Sequence, residues 1–97
     1  MKVVWSPLAL ERMSEIVDFI SQDNRVAVRE WIETAFKRVE QLTQFPESGR
    51  HLPEFPNRND LRELVHGNYR IIYRTGGNLD ILTVRHGRQL LQEEEIR

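Results

Sequence analysis

The 97-residue chain has no cysteine, which excludes disulfide staples, thiolate metal sites and thiol nucleophiles, and makes a reducing cytoplasm its simplest setting. No lysine follows Pro46, so any cationic surface built by the second half of the chain is built from guanidinium groups and imidazoles. No window approaches the roughly 20 apolar residues of a membrane span. The opening Met1-Lys2-Val3-Val4-Trp5 lacks the apolar run of a signal peptide. A cytoplasmic protein without membrane partners is therefore expected. The formal charge of −1 argues against a generic nucleic-acid binder, which carries a strongly basic balance. The histidines, at positions 51, 66 and 86, lack the close spacing of zinc ligands, so neither metal nor cofactor is expected.

What the chain does contain is enough for one domain spanning residues 1–97 and one modest core, worth about 5–10 kcal/mol of net stability. Its charge is unevenly placed. From Arg50 to Arg88 there are seven arginines and three histidines against the four acids Glu54, Asp60, Glu63 and Asp80. Most other acids lie in the first forty-five residues and in the Glu93-Glu94-Glu95 tail.

Local patterns predict the elements in order. Lys2 to Trp5 is a short β-favouring run, ended by Ser6-Pro7. Serine caps helices and proline fits their first turn, so a helix begins there. Ala9, Met13, Ile16, Val17 and Ile20 recur at helical spacing, and Asp23-Asn24 ends that helix and caps the next. The second helix carries the apolar stripe Val28, Trp31, Ile32, Ala35, Phe36, Val39 and Leu42, with Glu33 and Lys37 set for an exposed ion pair. Phe45-Pro46 closes the helical half. A Pro-rich stretch from Glu47 to Asp60 reads as an ordered surface loop anchored by Leu52 and Phe55. Leu61–Val65, Tyr69–Arg74 and Leu79–His86 read as strands joined by turns at His66-Gly67-Asn68 and Gly76-Gly77-Asn78. The sum is an α+β fold, β-α-α-β-β-β: a twisted antiparallel sheet with an N-terminal helical hairpin on one face. Residues Arg88 to Ile96 can add a short C-terminal helix anchored by Leu90, Leu91 and Ile96.

Side chains alternate along strands. A two- or four-residue turn near Gly76-Gly77 places Arg70, Ile72 and Arg74 on one face with Ile81, Thr83 and Arg85, leaving a cationic surface open to a partner. Tyr69, Ile71, Tyr73, Leu82 and Val84, with His86 at the far end, then face the helices. A three-residue bulged turn would break this register. The face of Arg62 stays open, because either register is possible across His66-Gly67-Asn68. His86 reads either as a satisfied strand-end histidine or as a general base, since imidazole titrates near neutrality.

Taken together, the Ser-Pro-capped first helix, the long second helix ending in Phe45-Pro46 with Gly49-Arg50 just after, the Arg62-Glu63 strand, the Tyr69-Arg70-Ile71-Ile72-Tyr73-Arg74 strand and the Val84-Arg85-His86-Gly87-Arg88 ending resemble the RelE/ParE superfamily. The resemblance implies a toxin of a type II toxin–antitoxin system, held inactive in complex with a cognate antitoxin. RelE-like members cleave messenger RNA on the ribosome, and Arg70, Arg85 and His86 would be the catalytic candidates for that chemistry. The lysines such nucleases carry before the central strand are absent, as is a C-terminal tyrosine. The His86-Gly87-Arg88 ending is similar to ParE-like members, whose implied target is DNA gyrase, inhibited by binding rather than catalysis. That branch is the expectation. A ribosome-dependent nuclease and a degenerate module that only binds antitoxin are the alternatives. Arg62, Arg70, Ile72, Arg74, Ile81, Arg85 and Arg88 are the expected target- or antitoxin-binding residues. The antitoxin is expected to be acidic where it passes Arg70 and Arg85.

Overall fold

Ser6 sets the first turn and ties it to the sheet. Its hydroxyl accepts from the Ala9 amide at 3.0 Å and donates to the Leu82 carbonyl at 2.7 Å. The computed structural model describes residues 1–97. Strand β1 (Val3–Trp5) leads into α1 (Pro7–Ser21) and α2 (Arg25–Gln41), whose N-cap Asn24 accepts from the Val26 and Ala27 amides. Then follow β2 (Arg50–His51), β3 (Leu61–His66), β4 (Tyr69–Arg74), β5 (Leu79–His86) and a 3-10 turn at Glu93–Ile96. No helix is long and apolar enough to cross a membrane.

The sheet order is β1-β5-β4-β3-β2, so the α+β class and the helical hairpin agree with the sequence reading. Four corrections follow. The sheet is mixed rather than antiparallel throughout, because β1 lies parallel to β5; a three-residue strand carries no pattern that specifies which edge it joins. The loop contributes a fifth strand, β2, paired antiparallel with β3. The C-terminal helix is only the four-residue 3-10 turn, buried through Leu91 and Ile96, while Leu90 is 72% exposed. On the helix surface the ion pair falls between Arg29 and Glu33 rather than between Glu33 and Lys37.

The register of β4 and β5 corrects a further expectation. Arg70 and Arg85 share a face, as alternation predicts, but they stand directly opposite one another, where the expected turn sets Arg70 opposite Thr83; nearer the turn Tyr73 faces Ile81 and Arg74 faces Asp80. Leu82 is the extra residue of a β-bulge, and Ser6 takes up its carbonyl. A bulge resets alternation, so Ile81 and Leu82 exchange faces. Ile81 joins Ala9, Met13, Ala35, Val39, Ile71 and Tyr73 in the core beneath the helices. Leu82 joins Ile72, Leu52, Leu61, Leu91 and Ile96 in a second, smaller core on the other face. The face expected to be open is thus covered by the loop after β2 and by the C-terminal tail.

Gly49 holds the start of that loop against the sheet. Its amide donates to the Tyr73 hydroxyl at 2.9 Å, and the hydroxyl donates to the Pro46 carbonyl at 2.8 Å. A Cβ at position 49 would overlap the Tyr73 ring and lie 2.7 Å from the Glu63 carbonyl oxygen, so backbone would have to move. Gly49→Ala should therefore cost about 1–3 kcal/mol, the usual range for overpacking. Thermal unfolding checks this, and an unchanged melting temperature would contradict the close approach.

Candidate functional site

β4 and β5 bring the predicted arginines side by side, and each is met by a carboxylate of the chain itself. Arg70 is 6% exposed. Its Nη1 and Nη2 hold the two oxygens of Glu54 at 2.7 and 2.8 Å, its Nε donates to Glu63, and Nη1 also reaches the Gln89 carbonyl at 3.2 Å. Glu63, on β3 and 2% exposed, accepts in addition from Arg50 Nη2 at 2.7 Å. Glu54 Oε2 accepts from the Leu91 amide at 3.1 Å. One guanidinium therefore joins the loop (Glu54), the sheet (Glu63) and the tail (Gln89, and Leu91 through Glu54).

Arg85 is treated likewise. Its Nε donates to Glu95 Oε1 at 2.6 Å, and Glu95 also accepts from Thr83 Oγ1 at 3.0 Å and the Gln92 amide at 2.9 Å. Arginines directly opposite one another on adjacent strands repel. Here each has its own carboxylate, so the pair is tolerated.

The electrostatics follow the geometry. Hydrogen bonds from Arg70 hold the Glu54 carboxyl down against burial that pushes it up, and the Leu91 amide adds to the lowering, leaving it at about 2 instead of 4.5. The same bonds raise Arg70, with Glu63 contributing after Glu54. Burial pushes Glu95 up, but its bonds to Arg85, Gln92 and Thr83 outweigh that and leave it lowered. Arg85 is raised by Glu95.

The other expected site residues divide. Ile72 and Ile81 are both fully buried, in the second core and beneath the helices respectively, so neither is an apolar contact waiting to be covered. Arg62 points to the helix side of β3, beside Tyr73 in register, where its Nη1 donates to the Glu47 and Gly49 carbonyls at 3.0 and 2.9 Å. It fixes the loop entry. Arg74 lies 3.4 Å from Asp80. His86 stacks edge-on to Tyr69 at 5.6 Å, and its Nδ1 accepts from the Arg88 amide. The Arg88 side chain is exposed and makes no ion pair with Glu93 or Glu94. His66 is buried between the Trp31 carbonyl and Arg38. No group of three or more His, Asp or Glu side chains is gathered where a metal ion would sit.

Beside the Arg70 cluster, at the end of the sheet formed by the β3–β4 turn and the residues after β5, lies a groove of about 650 Å³. Arg50, Glu54, Glu63, Arg70, Arg88 and Leu90 are among its lining. Sequence reasoning missed Arg50, Glu54, Glu63 and Leu90 as members of one site. The Gly49-Arg50 pair was the available signal.

Residues 3–91 match the family described as the ParE toxin of the type II toxin–antitoxin system, parDE. The chain belongs to the ParE toxin family. The candidate toxin Y4kP of Sinorhizobium fredii (strain NBRC 101917 / NGR234) is 34% identical over 91 residues, covering 91% of this chain and 90% of its own length. A chain of the chromosomal ParDE toxin–antitoxin system from P. aeruginosa superposes with a TM-score of 0.70 over 89% of this chain and 95% of that one, at 18% identity. At that identity the likeness is one of fold. Membership in a ParE toxin family implies an antitoxin partner.

Because this ParE toxin holds Glu54 at about 2 against an ordinary 4.5, the carboxylate adds stability at every pH above the ordinary value. It loses that contribution as pH falls through the interval between the two. Glu54→Gln should be less stable than wild type at pH 7 by about 1–3 kcal/mol, and the gap should narrow as pH drops from about 5 toward 2. Melting curves of both proteins across that range test this. A gap independent of pH would contradict the Arg70–Glu54 assignment.

Proposed function

We propose that this toxin inhibits DNA gyrase by stoichiometric binding and is neutralised by a cognate antitoxin, with no catalysis of its own. The observation that carries the reading is the state of Arg70. A nuclease of this fold needs a cation to hold the scissile phosphate and a group to move the ribose 2′-hydroxyl proton. Arg70 stands where the resemblance places the phosphate clamp, yet four of its five N–H donors are directed at Glu54, Glu63 and the Gln89 carbonyl. A phosphate approaching it meets two carboxylates first. Arg85 gives its Nε to Glu95, and its side chain is 20% exposed. His86, the remaining catalytic candidate, uses Nδ1 to accept from the Arg88 backbone.

The purified toxin should abolish supercoiling by gyrase and accumulate cleaved plasmid, and addition of the antitoxin should restore supercoiling. Messenger RNA in induced cells should stay intact over the same minutes. Loss of intact messages with gyrase unaffected would overturn the proposal in favour of a ribosome-dependent nuclease. Growth unaffected by induction would favour a module that only binds antitoxin.

A further inference from the structure

We infer that the groove beside the Arg70 cluster is the seat of an acidic, apolar segment of the antitoxin, gripped by Arg50 and Arg88 rather than by Arg70 and Arg85. The inference rests on the neutralisation reading above and assigns it a place. The groove has two parts with different chemistry. Its floor is the closed set Glu54–Arg70–Glu63, in which donors and acceptors are already matched. Its rim is unfinished. The Arg50 side chain is 70% exposed and gives only Nη2 to Glu63. Arg88 is exposed with no carboxylate partner. Two large apolar side chains stand at the same rim, Leu90 at 72% and Val65 at 39% exposure.

Guanidinium groups recognise carboxylates in two-point fashion, and apolar side chains beside them reward a partner that carries both kinds of group. A peptide presenting Asp or Glu next to an aliphatic residue meets that description. A nucleic-acid backbone does not. The lining holds three arginines, of which Arg70 is spent on the floor, against Glu54 and Glu63, and its two aromatic rings, Tyr69 and His86, are packed edge-on against each other. The tail that bears Arg88 and Leu90 is itself fastened through the Gln89 carbonyl and the Leu91 amide. The two contact residues are therefore displayed on a fixed backbone, which lowers the ordering cost of binding.

The experiment is titration of the purified toxin with the antitoxin encoded beside it, using wild type and the double variant Arg88→Glu/Leu90→Asp. Hydrogen exchange of the complex is followed alongside. Both substituted side chains are exposed, so the melting temperature of the free variant should match wild type. The dissociation constant should rise at least 100-fold, and in the wild-type complex the amides of residues 65–68 and 86–90 should gain protection. Full affinity in the double variant, or no added protection at those segments, would overturn the groove assignment while leaving neutralisation standing. Wild-type toxin that fails to bind the antitoxin would sink the neutralisation reading and this inference with it. Protection of the same amides by a single-stranded RNA oligonucleotide, and not by antitoxin, would assign the groove to RNA and overturn it as well.

Discussion

A guanidinium buried against a sheet cannot stand without acceptors, because the desolvation penalty of an unpaired charge amounts to several kcal/mol. Arg70 is such a group, and the way it is satisfied organises one whole side of the molecule. Glu63 reaches it from the neighbouring strand, Glu54 from the loop and the Gln89 carbonyl from the tail. The loop and tail have little regular structure of their own. They gain their places by completing this set and by burying Leu52, Leu91 and Ile96 over Ile72 and Leu82. Replacing such an ion cluster wholesale by apolar groups is often neutral, whereas removing one partner leaves the other's charge buried and short of acceptors. Arg70 is thus the one side chain that meets loop, sheet and tail together.

The consequence is a sheet buried on both faces in a chain of only 97 residues. One layer is the helical hairpin, tied by Ser6 to the bulge at Leu82. The other is assembled from irregular chain held by charge. Sealing that second face engages the strand arginines with the chain's own carboxylates, and at the end of the sheet Arg50 and Arg88 flank the groove.

Much of this was legible from residues alone. Helical spacing gave both helices and the Ala9, Met13, Ile16, Ala35 and Val39 faces that are buried, and Ser6-Pro7 and Asn24 gave their starts. The hairpin turns and the three long strands came from turn chemistry and β-branched runs. The shared face of Arg70 and Arg85 came from simple alternation. What failed did so for identifiable reasons. A single extra residue, Leu82, reverses the faces of everything on its turn side, and no side chain there announces it. The parallel edge strand depends on long-range packing. Most consequential, the acids of the loop and tail looked like solvated charge, since nothing local says that Glu54 lies near Arg70, sixteen residues away, or Glu95 near Arg85. Counting four acids against seven arginines between Arg50 and Arg88 suggested an exposed cationic surface. Distance in sequence hid the fact that the chain supplies its own counter-charges.

The most direct check on the Arg70 lock is native-state hydrogen exchange at the Leu91 amide, which lies in an irregular segment and is held by Glu54 Oε2 at 3.1 Å. If one guanidinium fastens loop, sheet and tail together, this amide exchanges only as slowly as the amides of β4 and β5, through unfolding of the whole domain. Exchange at the rate of an unprotected tail, with the strands still protected, would show that the tail opens independently and that the second face of the sheet is not sealed.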